Sequence, residues 1–255
     1  MLPNVFESFP KTRPPLPAAI QEIYVEFYKL NRTGESGISA ASQWLESWMH
    51  RIIAKKGARF PNAKILDFGS GTFNHFKHEK NFSVYDAIEP FEELYTGRDE
   101  LKEIGSVYNC AQDISGKKYD RVLSVAVLEH LTDLPTEIAT CCHLLEKNGV
   151  FQAGIPCEGE LAWYLGWRFS SAISFKRTYG LDYSVLMAYE HVNKMKEIVE
   201  VLKAFFDSVR IIRSPLPFPA PHTSFYAYIE ADSPKLDFAS SVLELLPKPE
   251  ATLHS

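Results

Sequence analysis

Ile65-Leu66-Asp67-Phe68-Gly69-Ser70-Gly71-Thr72 is the stretch on which the reading of the fold depends. A short apolar run beginning at Ala63 closes on an acid and then on two glycines one residue apart. This is the pattern of a buried strand entering a turn where the backbone bends sharply and comes close to a ligand. The turn alone has little specificity, because many strand-to-helix connections use glycine. Its surroundings add more. Glu89 ends the next strand-like run, SVYDAIEP, immediately before Pro90, and Asp113 with Ile114 ends a third run, SVYNCAQDI. Acids at the ends of successive parallel strands gather along one sheet edge, where α/β proteins bind ligands.

Outward from that turn, apolar runs alternate with helical segments. After the three runs above, FEELYTGRDELKEIG supplies a helix between the second and third. YDRVLSVAV is a fourth run, LTDLPTEIATCCHLLEKNG a helix stopped at Gly149, and VFQAGIP a fifth run. NKMKEIVEVLKAFF, DSVRIIRSP and TSFYAYIEA add a helix and two closing strands joined through PLPFPAPH. Strands separated by helices predict parallel βαβ units and a Rossmann-like, doubly wound, mostly parallel α/β sheet of seven strands.

One domain accounts for the chain. Residues 1–62 form a Pro-rich extended arm followed by two helices, Ala18–Leu30 and Ser39–Lys56. The second helix carries an apolar face of Trp44, Leu45, Trp48, Met49 and Ile52. Residues 63–156 are the sheet core, 157–193 an aromatic-rich helical cap, 194–231 the last helix and strands, and 232–255 a tail without strong pattern.

Composition narrows the class. The 255 residues are 45% hydrophobic and 13% aromatic, enough for a sizeable core. Twenty-seven basic against 32 acidic residues give a formal net charge of −5, which argues against dedicated nucleic-acid binding. No apolar run reaches membrane-spanning length, and the start of the sequence lacks the basic, apolar and small-residue zones of a secretion signal. Cys110, Cys141, Cys142 and Cys157 form no CxxC pair and read as reduced thiols of a cytoplasmic protein.

The order DxGxG, strand-end Glu, QDI and then YDRVLSVAVLEH resembles the class I S-adenosylmethionine-dependent methyltransferases. The resemblance covers about residues 63–156 with the last helix and two strands. It implies S-adenosylmethionine as cofactor. The turn of Asp67, Gly69, Ser70, Gly71 and Thr72 would lie against the methionine portion, with Asp67 pairing with its amino group. Glu89, next to Pro90, would hold the ribose hydroxyls, and Asp113 and Ile114 would contact adenine. The segment from Ser124 to His130 would pass beneath the methionine toward the acceptor. The family's frequent third glycine is here Phe73. A nicotinamide dinucleotide, the rival ligand, needs GxGxxG, and the third glycine of that pattern falls at Asn74; Asp67 would also repel a pyrophosphate.

On the acceptor side, strand four lacks an Asn-Pro-Pro-Tyr or Asp-Pro-Pro-Tyr motif for a planar amine, so an oxygen or a carboxylate on a small or sugar-type acceptor is expected. Candidate bases are His191 and His130. Glu190, His191 and Asn193 at the cap–core junction would act as orienter, base and acceptor contact. The bland alternatives are a packed helix start for His130 and an N-cap for Asn193. His75 reads as cofactor-side or surface. The segment Ile155 to Glu160, the aromatic cap, Tyr179 to Tyr183 and Glu190 to Asn193 resemble a narrower group, the methyltransferases of bacterial surface-polysaccharide or lipopolysaccharide biosynthesis. The cap aromatics Trp163, Tyr164, Trp167, Phe169, Phe175, Tyr179, Tyr183 and Tyr189 would stack on sugar rings, with Arg168, Lys176 and Arg177 on a phosphate. Alternatively these aromatics only pack the cap onto the core. Peripheral membrane contact by the cap is a further reading. No metal-ligand cluster is evident, and oligomeric state is not readable. A non-catalytic methyltransferase-like partner subunit stays open as the other functional class, with a nicotinamide-dependent oxidoreductase behind it.

Overall fold

A computed structural model describes residues 2–24, 40–160, 163–165, 168, 171–214 and 223–245. Seven strands form one sheet: β1 Ala63–Phe68, β2 Phe82–Ile88, β3 Val107–Tyr108, β4 Tyr119–Val125, β5 Leu145–Pro156, β6 Phe206–Ser214 and β7 Tyr226–Pro234. Their order is β3-β2-β1-β4-β5-β7-β6. The first five are parallel, and β7 runs antiparallel between β5 and β6. The order reverses between β1 and β4, so the ends of those strands part and leave a crevice at the carboxyl edge.

Strand alternation builds two cores. Leu66, Val122, Phe151 and Ile229 face one side, and their neighbours Ile65, Leu123 and Tyr228 face the other. Burial on both faces explains why β1 and β4 read as continuous apolar runs rather than alternating ones. The first side is covered by α2 (Leu134–Leu144), α5 (Met195–Phe205) and α6 (Leu236–Leu245). The second is covered by α1 (Ala40–Gly57), whose Met49 and Ile53 are buried, with Trp48 and Ile52 packed beside them. Two cap helices, α3 (Ser171–Tyr179) and α4 (Tyr183–Glu190), form a separate small core with Leu16 and Ile20 of the arm.

Several expectations are corrected. FEELYTGRDELKEIG is two 3-10 turns, Glu92–Leu94 and Asp99–Lys102, and not an α-helix. Gly97, at φ +80°, sits between them in a conformation a helix cannot contain. The helix before β5 ends at Leu144 and not at Gly149, which lies in β5 where the register against β4 shifts. A Cβ there would lie 2.9 Å from the Tyr119 carbonyl oxygen, so the glycine serves close backbone approach. The patternless tail contains α6, whose Phe238, Ala239, Val242 and Leu243 face the core at helical spacing. The arm is extended apart from one 3-10 turn, Asn4–Ser8, and Phe6 is core, stacking on Phe205 at 5.5 Å. Of the first expected helix, Ala18–Leu30, the described residues 18–24 are helical. Residues 25–39, the side chains of Trp44 and Leu45, Trp167, Phe169, the 215–222 connection and the tail beyond 245 lie outside the described residues. No described helix is long and apolar enough to cross a membrane.

Candidate active site

The glycine turn leaves β1 in the left-handed region at Gly69 (φ +75°) and Gly71 (φ +54°). The Gly69 and Ser70 amides donate to the Ile88 carbonyl at 2.9 and 3.1 Å, tying the turn to the end of β2. A Cβ on Gly69 would stand 2.5 Å from Val127, so this residue is fixed by space as well as by dihedral. Phe73, where a third glycine was looked for, also has positive φ, +59°. Its ring is buried against Tyr95 at 5.6 Å. Packing of that ring offsets the backbone strain, of order 1–2 kcal/mol, which a glycine would avoid.

Glu89 is 3% exposed. Its Oε2 accepts from the Gly71 amide at 2.7 Å and its Oε1 from the Phe91 amide at 3.1 Å. The acid at the end of β2 therefore shapes the glycine turn directly. Asp67 is buried beneath the turn and accepts from the Tyr85 hydroxyl at 2.6 Å. Burial pushes its carboxyl up to about 6, against the opposing pull of His75 and the Tyr85 hydrogen bond.

The turn opens into a cleft of about 310 Å³. Asp67, Gly69, Ser70, Gly71 and Thr72 line its sheet side, and His130, Glu190 and His191 line its cap side. One cleft thus joins these eight expected residues. The other five expected residues lie outside its lining. Glu89 stands behind Gly71; Pro90 is exposed; Ser124 is buried within β4; Ile114 packs into the core. Asp113 lies in the 3-10 turn Ala111–Asp113 and accepts from the Cys110 amide at 3.2 Å. Strand β3 ends earlier, at Tyr108.

The histidines on the cap side are organised differently from the expectation. His191 Nδ1 lies 2.6 Å from Glu158 Oε2, so Glu158 and not Glu190 orients this ring. Burial opposes charge on His191, but the Glu158 hydrogen bond and the charges of Glu158, Glu129 and Glu190 outweigh it and hold the pKa above its ordinary value. Glu190 pairs instead with His130 Nδ1 at 3.3 Å and accepts from the Tyr24 hydroxyl. Burial would raise Glu190, but the His130 hydrogen bond and charge, Tyr24 and Arg13 bring it down to about 2. The His130 and His191 rings meet edge to face at 4.8 Å. Asn193 is not an N-cap: its amide donates to the Leu128 and Leu131 carbonyls at 2.8 and 2.6 Å, fixing the turn that carries Glu129 and His130.

The arm locks this junction. Arg13 donates to the carbonyls of His130 (2.8 Å) and Glu190 (3.3 Å), and Lys11 to Val192 (2.8 Å) and Glu197 (2.6 Å). Phe175, Tyr179, Tyr183 and Tyr189, four of the six described cap aromatics, pack in a small cluster with Leu16 and Ile20 of the arm rather than on the sheet core. Trp163 and Tyr183 also line the cleft, joined by Tyr24 and Tyr226. Arg168, Lys176 and Arg177 are exposed and lie outside the cleft lining.

Sequence reasoning missed the polar chain behind the cleft. His50 Nδ1 faces His75 Nδ1 at 3.1 Å, and His75 Nε2 faces Glu79 Oε1 at 2.8 Å. Arg121 grips Glu79 through two bonds of 2.7 and 2.8 Å and reaches Gln152 at 2.8 Å. Gln152 continues to Tyr228, which donates to Glu230. A carboxylate only accepts, so His75 Nε2 carries a proton, and the two facing Nδ1 atoms share one proton between them. Burial, then the charges of His75, His78 and Lys77, push His50 down to about 2. With His75 Nε2–H committed to Glu79 and His75 Nδ1 facing His50, the orientation of the rings at the glycine-turn end of the cleft is fixed. The signal available in sequence was a charged residue, Arg121, inside an apolar strand.

No family model and no curated protein matches the chain. Its fold is shared with solved methyltransferases. A 1,6-didemethyltoxoflavin-N1-methyltransferase of Burkholderia thailandensis, holding S-adenosylhomocysteine, is 18% identical with a TM-score of 0.55, over 86% of this chain and 92% of that one. A plantazolicin methyltransferase in complex with S-adenosylhomocysteine is 11% identical, TM-score 0.55, over 83% and 90%. A possible histamine N-methyltransferase of Thermotoga maritima is 14% identical, TM-score 0.52, over 84% and 97%. The fold is the Rossmann-like methyltransferase fold. The neighbours do not support the polysaccharide or lipopolysaccharide association, since none of these three is described in those terms.

Proposed function

We propose that the protein is an S-adenosylmethionine-dependent methyltransferase acting on an oxygen of a small, sugar-type acceptor. The observation that carries this reading is a cleft with Asp67, Gly69, Ser70, Gly71 and Thr72 on its sheet side and, on its cap side, His191, whose ring Glu158 holds from behind the lining. The residues present fit the cofactor. Ser70 Oγ is buried in the turn without a hydrogen-bond partner among the described residues, Gly69 and Gly71 line the cleft with no side chain to fill it, and Asp67 offers a carboxylate to an amino group. Glu89, Asp113 and Ile114 are assigned to the ribose and adenine on the strength of the sequence resemblance. Asn74, at the third glycine position of a dinucleotide motif, weighs against a nicotinamide cofactor.

S-adenosylmethionine, when bound, supplies a methyl group made electrophilic by its sulfonium. The chain's own contribution is to place the acceptor and remove its proton. His191 Nε2, on the ring atom opposite the Glu158 contact, takes the proton from an acceptor hydroxyl. The oxygen keeps the electron pair for its new bond to carbon, and Glu158 stabilises the imidazolium that results. His130, held by Glu190 and Arg13, supports the position of His191 through their edge-to-face contact.

Isothermal titration with S-adenosylhomocysteine, with NADH in parallel, tests the reading. Binding of the first alone supports it. Binding of NADH alone overturns it in favour of an oxidoreductase, and binding of neither favours a non-catalytic partner subunit.

A further inference from the structure

Two polar atoms on the acceptor side are buried with no hydrogen-bond partner among the described residues: Glu129 Oε2 and Trp163 Nε1. Both residues line the cleft. Glu129 is 2% exposed, and a buried carboxylate oxygen left without a donor costs free energy unless a ligand supplies one.

Among the described residues, no cation lies within hydrogen-bond reach of Glu129. The nearest is His130 Nε2, 4.0 Å from Glu129 Oε1 and beyond hydrogen-bond reach. His130 is committed to Glu190 and His191 to Glu158. Burial raises the Glu129 carboxyl, with His130 and His191 pulling the other way. The groups that act on Glu129 are thus cap-side ones, whereas Asp67 is surrounded by His75, Tyr85, Glu79 and Glu89 at the glycine turn. The two buried acids that line the cleft thus have different hydrogen bonding: Asp67 accepts from Tyr85, whereas Glu129 Oε2 has no partner among the described residues, so an amino group held by Asp67 leaves Glu129 unmatched.

The cleft that Glu129 lines also has aromatic walls. Trp163 and Tyr226 meet at 5.4 Å with planes 71° apart, forming a corner, and Tyr183 and Tyr24 also line the cleft. Aromatic faces carry negative potential and attract cations, more strongly where water is excluded. A buried carboxyl in the same cleft as such rings is better matched by a cationic donor, which favours its ionised form, than by an anionic group.

We propose that Glu129 and the Trp163–Tyr226 corner bind a protonated amine on the acceptor, which is therefore an amino alcohol of the amino-sugar class. The ammonium donates to Glu129 Oε2, a neighbouring oxygen accepts from Trp163 Nε1, and the hydroxyl to be methylated lies toward His191. This assignment rests on the methyltransferase reading and narrows its acceptor.

The test uses two small probes of matched shape, ethanolammonium and ethylene glycol, titrated into the ¹⁵N-labelled full chain with and without saturating S-adenosylhomocysteine. The Trp163 indole N–H resonance, assigned through Trp163→Phe, is the readout. Ethanolammonium is expected to bind at least about tenfold more tightly than the diol, a difference of about 1.4 kcal/mol. Glu129→Gln should remove that preference while leaving S-adenosylhomocysteine affinity unchanged, which also shows that the variant is folded. Trp163→Leu should weaken the ammonium probe with the carboxylate intact. Equal response to the two probes, including no response to either, overturns the proposal, as does a preference that survives in Glu129→Gln. An ammonium preference that disappears only when S-adenosylhomocysteine is bound also overturns it, by assigning Glu129 to the cofactor. A protein that binds no S-adenosylhomocysteine yet prefers ethanolammonium keeps the amine subsite and loses the methyltransferase reading.

Discussion

His191 Nδ1 and Glu158 Oε2 lie 2.6 Å apart, one at the end of cap helix α4 and the other in the turn that follows β5. The pair holds a tautomer: with Nδ1–H committed to the carboxylate, a neutral His191 presents Nε2 as an acceptor. It also sets a pH dependence. The folded pKa lies above the ordinary 6.5. The stability this pairing contributes is therefore fully present below about pH 6.5 and fades as pH rises through the folded value. Turnover should move the other way, rising with pH as His191 loses its proton. Glu158→Gln is expected to shift that rising limb to lower pH and to cut the plateau rate; NMR titration of the ring and pH–rate profiles check both. A limb that stays in place removes Glu158 from the pair.

His191→Ala should lower turnover far more than cofactor affinity. Loss of a positioned base typically costs 10²–10⁴-fold. Calorimetry with S-adenosylhomocysteine beside a turnover assay separates the two effects. Equal turnover in the variant and the parent would reduce His191 to a structural residue.

Glu89→Ala releases the Gly71 and Phe91 amides as well as any ribose contact. Cofactor affinity should fall by about 1–3 kcal/mol. Glu89→Gln keeps one acceptor oxygen and should lose less. Unchanged affinity by calorimetry in both variants would separate Glu89 from the site.

Gly69→Ala places a methyl group 2.5 Å from Val127 at a φ of +75°. The expected loss of stability is about 2–4 kcal/mol, combining the dihedral cost with overpacking. Adding Val127→Ala should recover the overpacking part and not the dihedral part. Urea denaturation of the single and double variants measures the split.

Arg121, 1% exposed, neutralises Glu79 in the core. Burial alone would raise Glu79, but the His75 and Arg121 hydrogen bonds and charges bring it down to about 2. The stability tied to that carboxylate is present above pH 4.5 and lost as pH falls toward 2. Arg121→Met leaves the acid without its cation and should cost about 3–5 kcal/mol at neutral pH. Glu79→Gln in the same background should return part of it. Chemical denaturation at pH 7 decides.

The sheet was legible in the sequence because parallel strands bury both faces and so appear as continuous apolar runs: β1 and β4 fall within the expected segments, β2 begins one residue earlier at Phe82, and β5 begins at Leu145, inside the segment expected to be helical. Residues 91–105 misled because charged and apolar residues alternate there with apparent helical spacing, while Gly97 quietly breaks the run. The tail was passed over although Phe238, Val242 and Leu243 carry a helical stripe, since ten residues against a helix pair give a weak signal beside seven strands. The glycine turn announced its side of the cleft because backbone geometry demands particular residues there. The cap side did not. Glu158 meets His191 across 33 positions of chain, and Arg121 meets Glu79 across 42. Such pairings depend on tertiary placement, and spacing along the chain carries no trace of them. Glu190 was chosen as orienter for adjacency in sequence, whereas at the end of α4 its side chain departs toward His130.

The arm has a consequence for how the molecule is held together. Lys11 and Glu197 meet across 186 positions, and Phe6 rests on Phe205 and Phe238. These contacts join segments far apart along the sequence, so forming them closes long loops of chain. Phe6 is seated by α5 and α6, Leu16 and Ile20 by the cap helices, and Arg13 by the turn around His130. The cap-side wall of the cleft is therefore tied to elements on the far side of the sheet, and loosening α5 or α6 would loosen that wall through the arm.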